Sequence, residues 1–275
     1  MKIALAALVL IVSLQPGRAP GTEGVQPLLE RVVVLGASLS SGYGMDRELA
    51  TRVSFAAILD EVVQAEHGKI VSHAQPLFFA DPGGYGRLMI DAVVERDPTL
   101  ALAIDFPFWF GYGSLPEEQR LSRLNRGLEL LAELKCPVVV GNLPDMRAAQ
   151  GKLLSVLQIP ERETLALLNA RISAWADERP TRMVVDLATY AEQIRDEVDI
   201  DVGSGWKGER AGELIQDDEL HPSLVGATLI AIMTGEVLSA GLEELAADSF
   251  DADIEAIVDR LEERYGTRTA SPAVR

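Results

Sequence analysis

The chain has little cysteine and little histidine. Cys136 is the single cysteine among 275 residues, so no internal disulfide can form. It stands just before an apolar run, which indicates inert packing rather than catalysis. The three histidines are scattered along the sequence, so no cluster of metal ligands is apparent and we expect neither a metal nor another cofactor. Stability must come from a packed core, for which the chain is long enough.

Positive charge is also scarce. The chain has 25 Lys and Arg against 42 Asp and Glu, a net charge of −17. No basic stripe stands out, so nucleic acid is not an expected partner. The acidity indicates a solvated surface. Composition says nothing about the oligomeric state.

One apolar run stands near the N-terminus. Lys2 precedes residues 3–14, which are apolar except for Ser13. This pattern is typical of a signal peptide, and the run is too short to span a bilayer. Signal cleavage can follow Ala19 or Gly21, since each has a small residue two positions before it. Pro20, directly after Ala19, disfavours the first site. We therefore expect a signal peptide over residues 1–21 and a periplasmic or secreted bacterial protein; the alternative is an uncleaved anchor.

A second apolar run begins the part of the sequence that carries chemistry. Residues 32–35 are all apolar, which predicts a strand buried on both faces. Gly36 ends that strand, and Gly42 and Gly44 give the following loop backbone freedom. Ser38 therefore lies at the carboxyl end of a central strand, where α/β proteins bind their ligands. Its hydroxyl can act as a nucleophile if a base reaches it.

The candidate base lies near the other end of the chain. Asp218 and His221 are three residues apart, so one turn can bring the carboxylate against the imidazole. Pro222 suits the first position of the helix predicted to follow, which fixes His221 just before a rigid element. His67 and His73 have no acidic residue at that spacing.

These segments resemble conserved blocks of the SGNH (GDSL-type) hydrolases. Gly36-Ala-Ser-Leu-Ser40 with Ser41-Gly-Tyr-Gly44 is similar to the first block, and Asp218-Glu-Leu-His221-Pro222 is similar to the last. Val138-Val-Val-Gly-Asn-Leu-Pro144 resembles the strand and turn that many members have between them. The resemblance covers roughly residues 31–240. It implies a Ser38–His221–Asp218 triad that hydrolyses an ester.

The resemblance also implies an oxyanion hole and shows two departures. The backbone N–H of Ser38 and that of Gly83 or Gly84 are the expected donors. Ala37 stands where the family has Asp in its first block. In the third block, Phe108 stands where the family has an Asn that donates to the oxyanion, and Trp109 stands where it has Asp. Losing one such donor costs about 10²–10³ in turnover.

Hydrophobic periodicity predicts strands that alternate with helices. The strands are expected at 32–35, 70–72, 100–104, 137–141 and 183–187, and the helices at 52–66, 87–96, 115–134, 161–177, 223–238 and around 254–265. Residues 199–212 are expected to form a surface loop. The resulting fold class is α/β, a three-layer α/β/α sandwich with a flavodoxin-like, mainly parallel sheet in the order 2-1-3-4-5. We expect the domain to span 28–241, followed by a C-terminal helical extension and a frayed tail, 242–275.

The strand order places an aromatic run beside Ser38. Five aromatic residues follow the third strand: Phe106, Phe108, Trp109, Phe110 and Tyr112. We expect two or three of them to be core and the others, including Phe108 and Trp109, to contact substrate. The substrate can be a lipid, a simple ester or a glycan ester, with no stable membrane span.

Two functional hypotheses follow, with an unrelated α/β binding protein as a third. The first is an exported serine esterase or acylhydrolase. The second is a catalytically weak or inactive relative that binds an acyl or glycan ligand. The widely separated acid and base of the α/β-hydrolase type do not fit the close spacing of Asp218 and His221.

Overall fold

The computed structural model describes residues 26–267. The predicted signal peptide and the end of the C-terminal tail lie outside these residues.

A parallel five-stranded sheet forms the centre of the fold. Its strands are β1 (Val32–Val34), β2 (Val71–Ser72), β3 (Leu100–Ala103), β4 (Val138–Gly141) and β5 (Arg182–Val185). They lie in the order β2-β1-β3-β4-β5, and every neighbouring pair is parallel. The predicted fold class and strand order are confirmed. Because β1 and β3 are central neighbours, the loops that follow them meet at one edge of the sheet.

Helices cover both faces of the sheet. They are α1 (Phe55–Val62), α2 (Pro82–Val94), α3 (Phe108–Gly111), α4 (Glu117–Leu131), α5 (Arg162–Asp177), α6 (Leu187–Arg195), α7 (Leu224–Gly241) and α8 (Ile254–Tyr265). Val32 and Val34 point into one apolar cluster with α1, α7 and α8, and Val33 points into the other with α2, α4 and α5. This alternation is that of a strand buried on both faces.

The last two long helices lie in the core. The buried side chains of α8, Ile254, Ile257 and Leu261, belong to the same apolar cluster as α1 and α7. Helix α7 is long and apolar enough to cross a membrane, but 61% of it is buried inside the fold, as in the core helix of a globular protein.

Two of the longer helices differ from the sequence expectation, and the short helix α3 was not predicted. Helix α2 begins at Pro82 rather than at residue 87, because the Asp81 carboxylate caps it by accepting the Gly84 N–H at 3.0 Å. Helix α6 was not predicted: it follows β5 with only Asp186 between them, and Asp186 caps it by accepting the Thr189 N–H. The predicted loop at 199–212 contains the start of a 3₁₀ turn, Gly208–Glu213.

The aromatic run divides between core and crevice. The side chains of Phe106, Phe110 and Tyr112 are fully buried in the cluster under α2 and α4. Phe108 stacks on Tyr112 with ring centroids 4.1 Å apart and lies at right angles to Trp109. Both Phe108 and Trp109 line the cavity described below. Trp109 is itself only 7% exposed and belongs to the same cluster, so four of the five rings are core rather than the expected two or three.

A buried arginine fixes the segment that follows this run. Arg120 on α4 is only 1% exposed. Its guanidinium donates to the carbonyl oxygens of Gly111, Gly113 and Leu157 at 2.8, 3.1 and 3.0 Å, and it pairs with Glu117. Arginine suits this position because its rigid fork supplies several donors at once. No sequence pattern predicts this role, because helix periodicity cannot distinguish a buried arginine from an exposed one.

We expect Arg120→Met to lower the free energy of unfolding by about 2 kcal/mol or more, since two buried carbonyl groups would lose their donor at about 1 kcal/mol or more each, and the part-buried Leu157 carbonyl would lose its donor too. Urea denaturation followed by circular dichroism measures the change. Arg126→Met, at an exposed position on the same helix, is the control and should change stability by less than about 0.5 kcal/mol. Equal effects of the two substitutions would contradict the role given to Arg120.

Candidate active site

The loop after β1 places Ser38 at the carboxyl edge of the sheet. It turns at Gly36, where a side chain cannot fit: an added Cβ would lie 2.0 Å from Asp105 Oδ1 and 2.6 Å from Ser40 Oγ. The carbonyl oxygen of Ser38 accepts the Tyr43 N–H and the Ser41 hydroxyl, both at 2.9 Å. These two bonds fix the backbone at Ser38 and leave its own side chain half-buried at the cavity wall.

A carboxylate from the neighbouring strand holds this loop in place. Asp105 follows β3 directly and is only 7% exposed. It accepts the Ala37 N–H at 3.0 Å, the Ser40 hydroxyl at 2.5 Å and the Ser40 N–H at 3.2 Å. Burial raises the pKa of the Asp105 carboxyl, against the effect of these hydrogen bonds. A carboxylate thus does reach the Ser38 loop despite Ala37, but it comes from β3.

The acid and base are in contact as their spacing predicts. Asp218 Oδ2 lies 2.9 Å from His221 Nδ1, and Asp218 Oδ1 accepts the backbone N–H groups of Leu220 and His221 at 2.9 Å each. The carboxylate is therefore fixed by three contacts within one turn. This geometry makes Nδ1 the donor to Asp218 and leaves Nε2 as the atom that can accept a proton.

Two contacts join this turn to the loop of Ser38. Gln216 Nε2 donates to the carbonyl oxygens of Tyr43 and Pro222 at 3.0 and 2.8 Å. The Tyr43 ring lies against the His221 imidazole with centroids 4.3 Å apart. Segments that are far apart in the sequence are thus held side by side. Gln216 and Tyr43 were not predicted as site residues, because neither belongs to a motif with a chemical role.

Ser38 and His221 line one cavity of about 490 Å³. His221 Nε2 is buried and has no hydrogen-bond partner among residues 26–267. It therefore makes no hydrogen bond to Ser38 Oγ in this structure. Such bonds are often long in a free enzyme and tighten when substrate binds. His221 Nε2 is thus an unpartnered acceptor in a cavity that Ser38 also lines, and a general base needs such an acceptor.

The expected oxyanion donors are only partly brought together. The N–H of Ser38 has no acceptor within the described part of the chain and lies at the cavity. Gly83 and Gly84 lie in the first turn of α2, and neither lines the cavity. The Gly84 N–H is already donated to Asp81. Neither glycine is thus among the residues that line the cavity with Ser38, and both lie in the capped start of a helix.

The one asparagine in the cavity wall is engaged elsewhere. Asn142, after β4, donates from Nδ2 to Asp186 Oδ1 at 2.7 Å and accepts the Ala188 N–H at 2.7 Å. Its amide fixes the start of α6 with one N–H and with Oδ1, and the second N–H of Nδ2 has no acceptor among the described residues. Over the described residues no group of three His, Cys, Asp or Glu side chains could hold a metal ion.

Hydrogen bonds to Asp218 determine its protonation. Burial acts to raise its pKa, but the His221 ring and the N–H groups of His221 and Leu220 outweigh burial and hold that pKa at about 2, below the ordinary 3.8. A carboxyl whose pKa is depressed by folding stabilises the folded state above its unfolded pKa. That contribution is lost as the pH falls towards the folded value.

We expect the parent protein to lose more stability between about pH 4 and pH 2 than Asp218→Asn, which lacks the titrating carboxyl. The thermal midpoint measured by circular dichroism at several pH values reports this difference. Asp217→Asn, at an exposed neighbouring position, is the control and should behave as the parent does. Parallel pH profiles for the parent and Asp218→Asn would contradict the assignment.

Comparison with known proteins finds similarity in structure alone. No protein-family model matches the chain, and no curated protein matches its sequence. Three similar solved structures are the esterase EstA from Pseudoalteromonas sp. (13% identity, 77% of this chain and 98% of that one, TM-score 0.49), a GDSL-like lipase from Bacteroides thetaiotaomicron (16%, 78% and 92%, 0.47) and a carbohydrate esterase of family 3 from Talaromyces cellulolyticus (12%, 79% and 100%, 0.48).

The fold agrees with the resemblance that the two end motifs carry. The sheet order β2-β1-β3-β4-β5 is the order predicted from the alternation of strands and helices, and residues of both end motifs line one cavity. The family's activity does not follow from this fold.

Proposed function

We propose that the chain is a serine esterase or acylhydrolase that uses Ser38, His221 and Asp218. One observation carries the proposal: the buried His221 Nε2 has no partner, while its Nδ1 is held by Asp218 and its ring lies in the cavity wall that Ser38 shares. Leaving a buried acceptor unpaired costs free energy, and general-base catalysis gives that atom a use.

The chemistry follows from the roles of these atoms. His221 Nε2 takes the proton from Ser38 Oγ as that oxygen attacks the ester carbonyl carbon. Collapse of the tetrahedral intermediate breaks the ester bond, and the leaving alkoxide takes the proton from the imidazolium. Water then attacks the acyl-serine with His221 again as base, which releases the acid. Asp218 stabilises the imidazolium in both halves.

The oxyanion hole is the weak part of this site. Among the described residues the Ser38 N–H and one N–H of Asn142 Nδ2 have no acceptor, whereas the Gly84 N–H is donated to Asp81 and Gly83 does not line the cavity. Trp109 Nε1 has no acceptor among the residues described and lies in the cavity wall, so it is the candidate second donor. The small number of oxyanion donors favours the alternative function, a weakly active domain that binds its ligand. The rate of ester hydrolysis distinguishes the two functions.

We expect the purified protein to hydrolyse p-nitrophenyl acetate or butyrate, and Ser38→Ala and His221→Ala each to lower kcat by at least about a thousandfold, because triad members act as a unit. Initial rates of p-nitrophenolate release, followed by its absorbance, measure this effect.

Two substitutions away from the cavity serve as controls. Ser173→Ala is exposed on α5, and His67→Ala removes a histidine that contacts Ala65 and Asp60 instead. Both should retain the parent rate. Hydrolysis that persists in Ser38→Ala would end the triad proposal. No hydrolysis by the folded parent would leave the binding function.

We also propose that the protein is exported. Support comes from the sequence alone, from Lys2 and the apolar residues 3–14. We expect expression of the full chain in a bacterium to yield a periplasmic or secreted protein whose N-terminal sequencing begins just after Ala19 or Gly21. Lys2→Glu with Leu10→Asp should keep it in the cytoplasm. Recovery of the uncut chain from the cytoplasm would contradict export.

A further inference from the structure

The cavity wall has an inner part that belongs to the apolar cluster of α1 and α7, whereas Phe108 and Trp109 belong to the cluster on the other face of the sheet. This inner part comes from three elements: Leu187, Tyr190, Ala191 and Ile194 of α6, Leu214 after the 3₁₀ turn, and Ile230 of α7. We propose that this inner part is an acyl-chain site, which makes the substrate an ester of a medium-length aliphatic acid. The inference rests on the proposed ester hydrolysis.

The inner wall is apolar and enclosed. Leu187, Leu214 and Ile230 are each at most 7% exposed although they line the cavity. Gly141 at the end of β4 makes room for this wall, because a Cβ there would lie 2.5 Å from the Leu187 side chain. An enclosed apolar space takes up methylene groups favourably, whereas water in it makes few hydrogen bonds.

The inner wall also lacks polar groups that could bind a sugar. The Tyr190 hydroxyl donates to the Gly226 carbonyl oxygen at 3.3 Å, so the ring faces the cavity without a free donor. Some buried side-chain polar atoms in residues 26–267 have no hydrogen-bond partner. Of these, only His221 Nε2 belongs to a residue that lines the cavity. A glycan would lose its hydrogen bonds to water here without replacement.

Charge lies at the rims rather than along the inner wall. Arg195 and Glu197 line the cavity near the end of α6 and are exposed, as is Arg162 on the side of α5. The volume of about 490 Å³ is within the range of small-molecule sites. The acyl chain is therefore placed along α6 and the alcohol part of the ester towards Phe108 and Trp109.

A binding experiment on Ser38→Ala tests this placement without depending on catalysis. Calorimetric titration should show ethyl octanoate binding at least about tenfold more tightly than ethyl butyrate, since each buried methylene contributes about fourfold. In the double variant Ser38→Ala/Ala191→Trp the indole ring fills the inner part of the cavity. This variant should bind ethyl octanoate at most about threefold more tightly than ethyl butyrate. Ala191→Leu, a smaller change, should reduce the advantage of the longer ester in part, and circular dichroism shows that both variants fold.

Two further alanines supply the comparison. Ala170→Trp, exposed on α5, should keep the full advantage of the longer ester. Ala148 lines the same cavity next to Met146 and Arg147, outside the inner part, so Ala148→Trp should also keep that advantage. An advantage that survives in Ala191→Trp, or that is lost in Ala148→Trp instead, would overturn the inference.

The outcome is separable from that of the proposed function. If the parent hydrolyses no ester and Ser38→Ala still binds the longer ester more tightly, the acyl site stands and the enzyme proposal fails. If the parent hydrolyses esters with a chain-length preference that Ala191→Trp does not change, the enzyme proposal stands and the acyl site fails.

Discussion

The hydrogen bonds of the buried Asp105 carboxylate determine the shape of the site. They tie the end of β3 to the loop after β1, so the position of Ser38 depends on a group from the neighbouring strand. A buried carboxylate is costly without partners, and here three donors surround it. The same contact requires glycine at position 36, because a side chain would occupy the place of Asp105 Oδ1. One interaction thus explains both the tight turn and the orientation of the serine.

A second set of contacts brings the base to this loop. Gln216 joins the Tyr43 and Pro222 carbonyl groups, and the Tyr43 ring covers the His221 imidazole. Asp218 then fixes the ring from the other side through Nδ1. The imidazole has little freedom to turn, which leaves Nε2 directed away from Asp218 without a partner. Preorganisation of this kind lowers the cost of aligning base and nucleophile when a substrate arrives.

Much of the fold was readable from the sequence, because apolar runs such as 32–35 and 137–141 have the length of buried strands and the helices between them are periodic. Ser38, Asp218 and His221 were predicted as site residues because each stands at a strand or helix end in a motif with a chemical role. Helix α6 was missed because it begins almost directly after β5. Arg120, Gln216 and Asp105 act through contacts between distant segments, and no local pattern predicts those. The role predicted for Gly83 or Gly84 stays a prediction, since both lie in a helix start capped by Asp81 and neither lines the cavity.

The departure at Ala37 has a physical explanation in the fold. The family places a carboxylate on the serine loop itself, whereas here β3 supplies one to the same loop through Asp105. The two strands are hydrogen-bonded neighbours, so a carboxylate on either can reach the other. At Phe108 the comparison is with an Asn, and the asparagine in the cavity wall here, Asn142, gives one N–H to Asp186 and accepts the Ala188 N–H, so only its second N–H remains for a ligand. Positioning of a nucleophile and stabilisation of an oxyanion are separate contributions to a rate, so the contacts that hold the Ser38 loop do not determine how many donors a carbonyl oxygen would meet.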